Sequence, residues 1–461
     1  SKFIHITADA QDNKHLNHAV VYAILEDRHG NLWFGTEEGG LNYFHRSTGK
    51  FTYYKFDPHN PNSISSNNIK SLQEDSHGNI WIGTYQGGLD KFNPDTKIFT
   101  QYRHDPNNPS SISDDNVMSI LIDSDNNFWI GTYGGGLNRF KPDLNTFEHF
   151  DFHNERSFQN IYTVHEDQNG TIWFGANNGY VGRLNKKTSG LSAYKLASDM
   201  SGIEVRAIHE DRNGTLFFGT IGGGLHVYHR NTNSFEIFSG QKRMPSNIIH
   251  GILEDDDHNL WISSSNGLSK LNLATDEIKT FYRENGIQSN QFCYNAFCRT
   301  RAGELLFGGI NGVTLFRPDD IKENKYIPPV VITDFKIFNK SVNLSDEDGI
   351  LRNHISETGE LALSYKHSVI SFEFSALNYF ISEQNKYAYI MEGFDADWNY
   401  VGEQRIATYT NLDPGEYVFR VKAANNDGYW NEKGASVQIT ISPPFWKTIW
   451  FKFILAGLIG L

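Results

Sequence analysis

The chain alternates short apolar runs with polar turns, and this alternation carries a long period. One grammar recurs: Glu26-Asp27-Arg28-His29-Gly30-Asn31-Leu32-Trp33-Phe34-Gly35-Thr36, then Gly39-Gly40-Leu41. It returns around Trp81, Trp129, Trp173, Phe217, Trp261 and, degraded, Leu306, at steps of 48, 48, 44, 44, 44 and 45 residues. Seven strand-rich copies at this spacing predict propeller blades. Nine residues before each central residue stands an apolar side chain: Ile24, Leu72, Ile120, Val164, Ile208, Ile252 and Phe297. One position earlier stands a small one: Ala23, Ser71, Ser119, Thr163, Ala207, Gly251 and Ala296. The small column predicts an innermost strand, where blades crowd the axis. Gly30, Gly78, Gly170, Gly214, Gly303 and Asn126 suit a tight turn with positive φ. His258 at the same place predicts strain or a reshaped turn. Each copy supplies four strands, the outer one like Phe51–Phe56. The seventh supplies three, and Lys2–Ile6 aligns with Lys50–Tyr54. Residues 2–6 are therefore expected beside 313–317, closing the last blade.

After Pro328-Pro329 the period disappears, and seven short strands with turn signals follow over 330–442. They predict an immunoglobulin- or fibronectin-like β-sandwich. Tyr417, just after Pro414-Gly415, reads as a tyrosine corner, with Tyr387, Tyr389 and Trp398 as core or near-core aromatics. Residues 450–461 are apolar except for Lys452. They read as the first half of a transmembrane helix over 446–461, with Trp446 and Trp450 at the interface. The expected architecture is all-β: a seven-bladed β-propeller over 1–326, the β-sandwich over 330–442, then the start of a transmembrane helix.

Composition narrows the chemistry. With 41 Gly and 14% aromatics, the chain suits many short strands joined by tight turns. A formal charge of −13 without a basic block excludes a nucleic-acid partner for this segment. Two cysteines exclude a disulfide scaffold; Cys293 and Cys298 form either a reduced pair or a local bridge. No cofactor or metal site is expected. Asp123–Asn127 lacks the glycine and glutamate of an EF-hand loop, and the 18 histidines show no ligand spacing. Asp255-Asp256-Asp257 reads as a solvated turn.

Ligand chemistry is better placed at the axis. One variable residue per copy precedes the small column: Tyr22, Lys70, Met118, Tyr162, Arg206, His250 and Asn295. In a propeller these lie near the channel mouth. Aromatics for stacking and polar groups for hydroxyls suit an oligosaccharide. Tyr85 and Tyr133, in turns on the same face, extend the set, and Asn68, Asn116 and Asn160 add amides. The candidate ligand-binding residues are Tyr22, Lys70, Tyr85, Tyr133, Tyr162, Arg206, His250 and Asn295. No catalytic residue is assigned, because the ring shows no carboxylate pair.

The repeat resembles the two-component-regulator propeller repeat, and the following domain resembles the Y_Y_Y domain. The latter likeness rests on Tyr387, Tyr389, Tyr417, Gly393-Phe394-Asp395, Trp398 and Asn425-x-Asp427-Gly428. Pro443-Pro444-Phe445-Trp446-Lys447-Thr448 before the apolar stretch completes it. The resemblance implies the periplasmic sensor of a hybrid two-component system of the Bacteroidetes type. It implies glycan sensing outside the inner membrane, a C-terminal membrane helix, and dimerisation through the sandwich. It further implies a histidine kinase, a receiver and a DNA-binding region after the helix, and a second propeller upstream of Ser1. This segment itself is then not an enzyme. Rival readings are a propeller lyase or glycosidase, and a membrane-anchored protein-interaction scaffold.

Overall fold

Each copy of the repeat folds into a four-stranded antiparallel meander. In the first, Val21–Glu26, Leu32–Thr36, Leu41–His45 and Lys50–Tyr54 lie side by side in that order. The computed structural model describes residues 2–9, 12–150, 152, 156–188, 190–197, 199–238, 244–344, 349–378, 381–447 and 451. Seven such sheets make up the unit Ser1–Ile321. The last contains Phe292–Arg299, Leu305–Gly309 and Gly312–Phe316, and its outer strand is Ile4–Ile6 from the start of the chain. There Ile4 pairs with Leu315, His5 with Thr314 and Ile6 with Val313.

The innermost strands touch in a closed cycle. Val21–Glu26 contacts Ile69–Glu74, and so on through each copy to Phe292–Arg299, which contacts Val21–Glu26 again. The small column permits this approach. Ala23 pairs with Gly35, and a Cβ on Gly35 would collide with Ile69 of the next copy. At the closure, a Cβ on Gly308 would lie 3.1 Å from Val21. Alternating buried strand residues fill the spaces between sheets, with Trp33, Trp129, Trp173 and Trp261 among the most buried side chains.

The repeated Glu-Asp wording has a structural use. Asp27 Oδ1 accepts the backbone N–H of His29 and Asn31, and Asp27 Oδ2 accepts the Trp33 indole N–H at 3.0 Å. The same indole bond joins Trp81 to Asp75, Trp129 to Asp123, Trp173 to Asp167 and Trp261 to Asp255. Asp255 is thus a buried turn cap, not a solvated residue; the exposed side chain beside it, Asp256, accepts from Arg212 and Arg299. The preceding glutamate reaches the neighbouring copy. Glu74 accepts from Arg28 N–H, Glu166 from Ser124, Glu210 from Gln168, Glu254 from Arg212, and Glu26 from Arg301, which joins the last copy to the first. His258 keeps the common turn at φ 62°, and its ring bonds Glu254 at 2.8 Å. The turn is therefore not reshaped: the imidazole contact holds a conformation that glycine adopts elsewhere.

The second unit is Lys322–Leu461, so the first ends five residues before the boundary expected at 326. Residues 323–326 belong to the second because Asn425 donates to Tyr326 O at 2.7 Å and Tyr429 OH to Glu323 at 2.6 Å. Two sheets face each other. One contains Val330–Ile337, Lys340–Ser341, Val369–Ala376 and Ile406–Thr410. The other contains Glu360–Ser364, Lys386–Glu392, Asn399–Gly402, Gly415–Ala424 and Trp430–Ser442. Phe335, Phe372, Phe374, Tyr387 and Phe419 fill the space between, with Phe372 stacked on Phe419 at 4.3 Å. Tyr417 OH donates to Asp413 O at 3.0 Å, the bond of a tyrosine corner. Trp398 stands outside this core. Lys422 lies over its ring at 4.6 Å, flanked by Tyr400 and Trp430. The expected membrane helix over 446–461 falls, apart from Trp446, Lys447 and Phe451, outside the described residues. Among the described residues no helix is long and apolar enough to cross a membrane.

Candidate functional site

The axis of the first unit is built by a repeated irregularity. In six copies the innermost strand carries one residue without a partner in its neighbour's register: Tyr22, Lys70, Met118, Tyr162, Arg206 and His250. Each is the extra residue of a β-bulge, and a bulge re-aims the side chain it carries. In the seventh copy the gap widens to four residues, between Phe292 and Phe297.

These bulges bring aromatic rings and cations together. Tyr22 and Tyr294 have ring centroids 4.8 Å apart. Lys70 Nζ lies 3.6 Å from the Tyr22 centroid, 5.6 Å from that of Tyr294 and 5.9 Å from that of Tyr85. The Arg206 guanidinium lies 4.0 Å over Tyr162 and 4.2 Å over Tyr294. Tyr133 meets Tyr162 at 6.1 Å. Cation–π attraction is strongest where water is excluded, so this cluster is a pre-formed aromatic and cationic surface.

Burial corrects the picture of an open ring. Tyr162 is 1% exposed, Lys70 5% and His250 8%, whereas Tyr85 is 37% and Tyr133 44% exposed. The two turn tyrosines are the accessible edge, and the bulge residues lie behind them. Tyr162 OH lies 2.6 Å from Asn177 Oδ1 and 3.1 Å from Glu204 Oε1, two acceptors for its one proton. Arg206 donates to Glu204 at 2.8 Å, while its Nη1 has no hydrogen-bond partner. His250 Nε2 meets Ser265 Oγ at 2.9 Å, and its Nδ1 is unpartnered.

Asn295 does not sit in the ring as the equivalent of Tyr22. Its φ is 59°, and its amide donates to Met118 O at 2.8 Å and to Lys70 O at 3.4 Å. It ties the seventh copy to the third and second. Tyr294 takes the ring position instead, because the wide irregularity shifts the alignment by one residue. An aromatic at 294, matching Tyr22 and Tyr162, was the available signal. The aligned ring positions show no carboxylate pair, but two carboxylates stand beside them. Glu204 is bonded to Arg206 and Tyr162, and Glu37 acts electrostatically on Lys70 and Tyr22. Neither follows from the repeat, since they lie before and after the aligned columns. Asn116 serves structure: its amide bonds Asp114, and its oxygen accepts from Gln86 N–H. Asn160 bridges to Tyr133, and Asn68 leaves a buried Oδ1 unpartnered.

Burial sets the protonation states. It pulls the Lys70 ammonium down to about 8 and the His250 imidazole down to about 4. It pushes the Cys293 thiol up to about 12. Both cysteines are free, so no local bridge forms. Among the described residues no group of acidic, histidine or cysteine side chains could hold a metal ion.

Comparison with known proteins agrees with this architecture. The two component regulator propeller family matches residues 15–38, 63–86, 111–134, 156–178 and 243–266, and the Y_Y_Y domain family matches 378–442. A histidine kinase of Formosa agariphila is 38% identical over 214 residues, which is 46% of this chain and 16% of that protein. The extracellular domain assigned to a hybrid two component system of B. thetaiotaomicron superposes with a TM-score of 0.80 and 26% identity. That match covers 96% of this chain and 58% of the other. Virginiamycin B lyase of Staphylococcus aureus, at 18% identity and a TM-score of 0.54, covers 68% of this chain and 98% of its own, and shares the fold alone. The chain thus spans about one sixth of the kinase and under two thirds of the extracellular domain.

Proposed function

We propose that this chain, which carries two-component-regulator propeller repeats followed by a Y_Y_Y domain, is the extracytoplasmic sensing part of a hybrid two-component histidine kinase. Its ligand is an oligosaccharide held on a seven-bladed propeller. The observation that carries this reading is the axial cluster. Two exposed tyrosines, Tyr85 and Tyr133, border half-buried Tyr22, Tyr294 and Arg206 and buried Tyr162 and Lys70. Aromatic faces stack on the CH faces of a sugar, and the cations and amides satisfy its hydroxyls. Glu204 is held in an ion pair with Arg206 and is not poised as a free general base, which favours binding over cleavage.

In this reading the periplasm holds the segment, a C-terminal helix anchors it to the inner membrane, and the sandwich units pair as a homodimer. The ligand shifts signalling only through different affinity for the two arrangements of that dimer. The output is transcription of glycan-use genes. The test is calorimetry of the purified chain against an oligosaccharide panel, with Y85A/Y133A as the variant. Binding without turnover is expected, at least tenfold weaker in the variant, with an unchanged melting temperature. Turnover of the bound glycan overturns the sensor reading in favour of a propeller enzyme. Unchanged affinity in the variant removes the axial site, and absence of any glycan binding favours a protein-interaction scaffold.

A further inference from the structure

At the end of the blades that carries the aspartate turns, the third and fourth copies give their aspartate two further partners, an indole and a cation from the next copy, and the fifth copy has neither. Asp123 Oδ2 accepts the Trp129 indole at 2.9 Å and lies 3.2 Å from Lys186 of the next copy. Asp167 Oδ2 accepts the Trp173 indole at 2.9 Å and Arg230 of the next copy at 3.1 Å. In the fifth copy the indole position holds Phe217. One copy on, the position of Lys186 and Arg230 holds Leu273. Asp211 Oδ1 still accepts the backbone N–H of Asn213 and Thr215. Asp211 Oδ2 accepts no hydrogen bond among the described residues, although Asp211 is only 5% exposed. Asp211, Phe217 and Leu273 line one cavity of about 620 Å³, together with Val227, Glu236 and Asp276.

We propose that this cavity binds a small organic cation bearing an aromatic ring, of the arylalkyl-ammonium class. Asp211 Oδ2 faces the cavity without a protein donor, and a cationic ligand that supplies one makes a charge-assisted hydrogen bond there. The two substitutions define the ligand. The apolar wall of Phe217, Val227 and Leu273 takes the ring in place of the absent indole. The ammonium takes the place of the absent lysine or arginine at Asp211 Oδ2. Glu236, which meets His229 Nε2 at 3.1 Å, and Asp276 add negative potential, which favours cations over anions and neutral sugars. The volume lies in the range of small-molecule sites. This site uses none of the axial residues, so it stands whether or not the axis binds a glycan.

Tryptamine carries both missing groups and serves as the probe, titrated calorimetrically into the whole chain. One saturable site is expected. L273R restores the sibling cation and F217W restores the sibling indole; each is expected to weaken tryptamine at least tenfold while keeping or raising the melting temperature. Indole-3-propionate, of opposite charge, is expected not to bind. Absence of saturable tryptamine binding overturns the proposal. So does unchanged affinity in both variants, or equal binding of indole-3-propionate. Should either variant lose its melting transition, D211N carries the same expected loss and the same overturning outcome.

Discussion

The two ends of the repeat's first hairpin behave in opposite ways. At the aspartate turns, copy after copy uses the same side chains: an aspartate, a tryptophan, and a glutamate from the neighbour. At the axis six copies place a bulge at the same position but fill it with five kinds of residue. In these six copies the backbone repeats in both places, and only the side chains differ. Identical side chains mark where the copies hold one another, because each interface poses the same geometric problem. Different side chains mark where a single asymmetric surface is assembled from equivalent positions. The Asp211 cavity is the informative exception, since there the holding residues themselves change.

Three substitutions test this contrast. The largest effect is expected from D75A. It leaves the buried Trp81 indole and the turn N–H groups of His77 and Asn79 without their acceptor. The cost is expected to be about 4 kcal/mol in urea unfolding; a loss below about 1 kcal/mol would deny the turns their holding role. At the axis, K70M copies the Met118 of the next copy. A base whose pKa falls from 10.5 to about 8 on folding loses stability as pH drops through that window. The gain from K70M is therefore expected to be about 1–2 kcal/mol at pH 7, after the Tyr22 contact is subtracted, and to vanish near pH 10.5. Oligosaccharide affinity is expected to fall at the same time. Equal stability of K70M and the parent across that pH range would show that the ammonium is not held in a dry site. The smallest effect is expected from H258G, which relieves the positive φ but removes the imidazole–Glu254 contact. A net gain of about 0.5 kcal/mol at pH 8 is expected by calorimetric melting, and a net loss would show that the contact outweighs the strain.

Much of the fold could be read from spacing alone. The period locates the strands, the small column locates the axis, and Tyr417 locates the corner of the sandwich. These signals are legible because each reports a local steric need: a turn, a crowded strand, a bonded hydroxyl. The axial set was legible only in part. Tyr22, Lys70, Tyr162 and Arg206 do converge, but nothing in the pattern announces the bulge that aims them. Asn295 and Tyr294 exchange roles because a four-residue irregularity leaves no trace in hydropathy. Burial leaves no local signal either: how far Lys70 and His250 withdraw from water depends on side chains from several copies at once. The outward place of Trp398 was likewise hidden, because a large aromatic packs equally well on a core or around a lysine stem.

The pairing of Ile4–Ile6 with Gly312–Phe316 has a mechanical consequence. The polypeptide leaves the ring through that last strand, which is clasped on one edge by Leu305–Gly309 and on the other by the chain's own first residues. A tug applied at Ile321 is thus met by two rows of backbone bonds in parallel. One row holds the load within the last sheet and the other hands it to the adjoining first copy, so the seam between them is loaded as a unit before that strand can be peeled away.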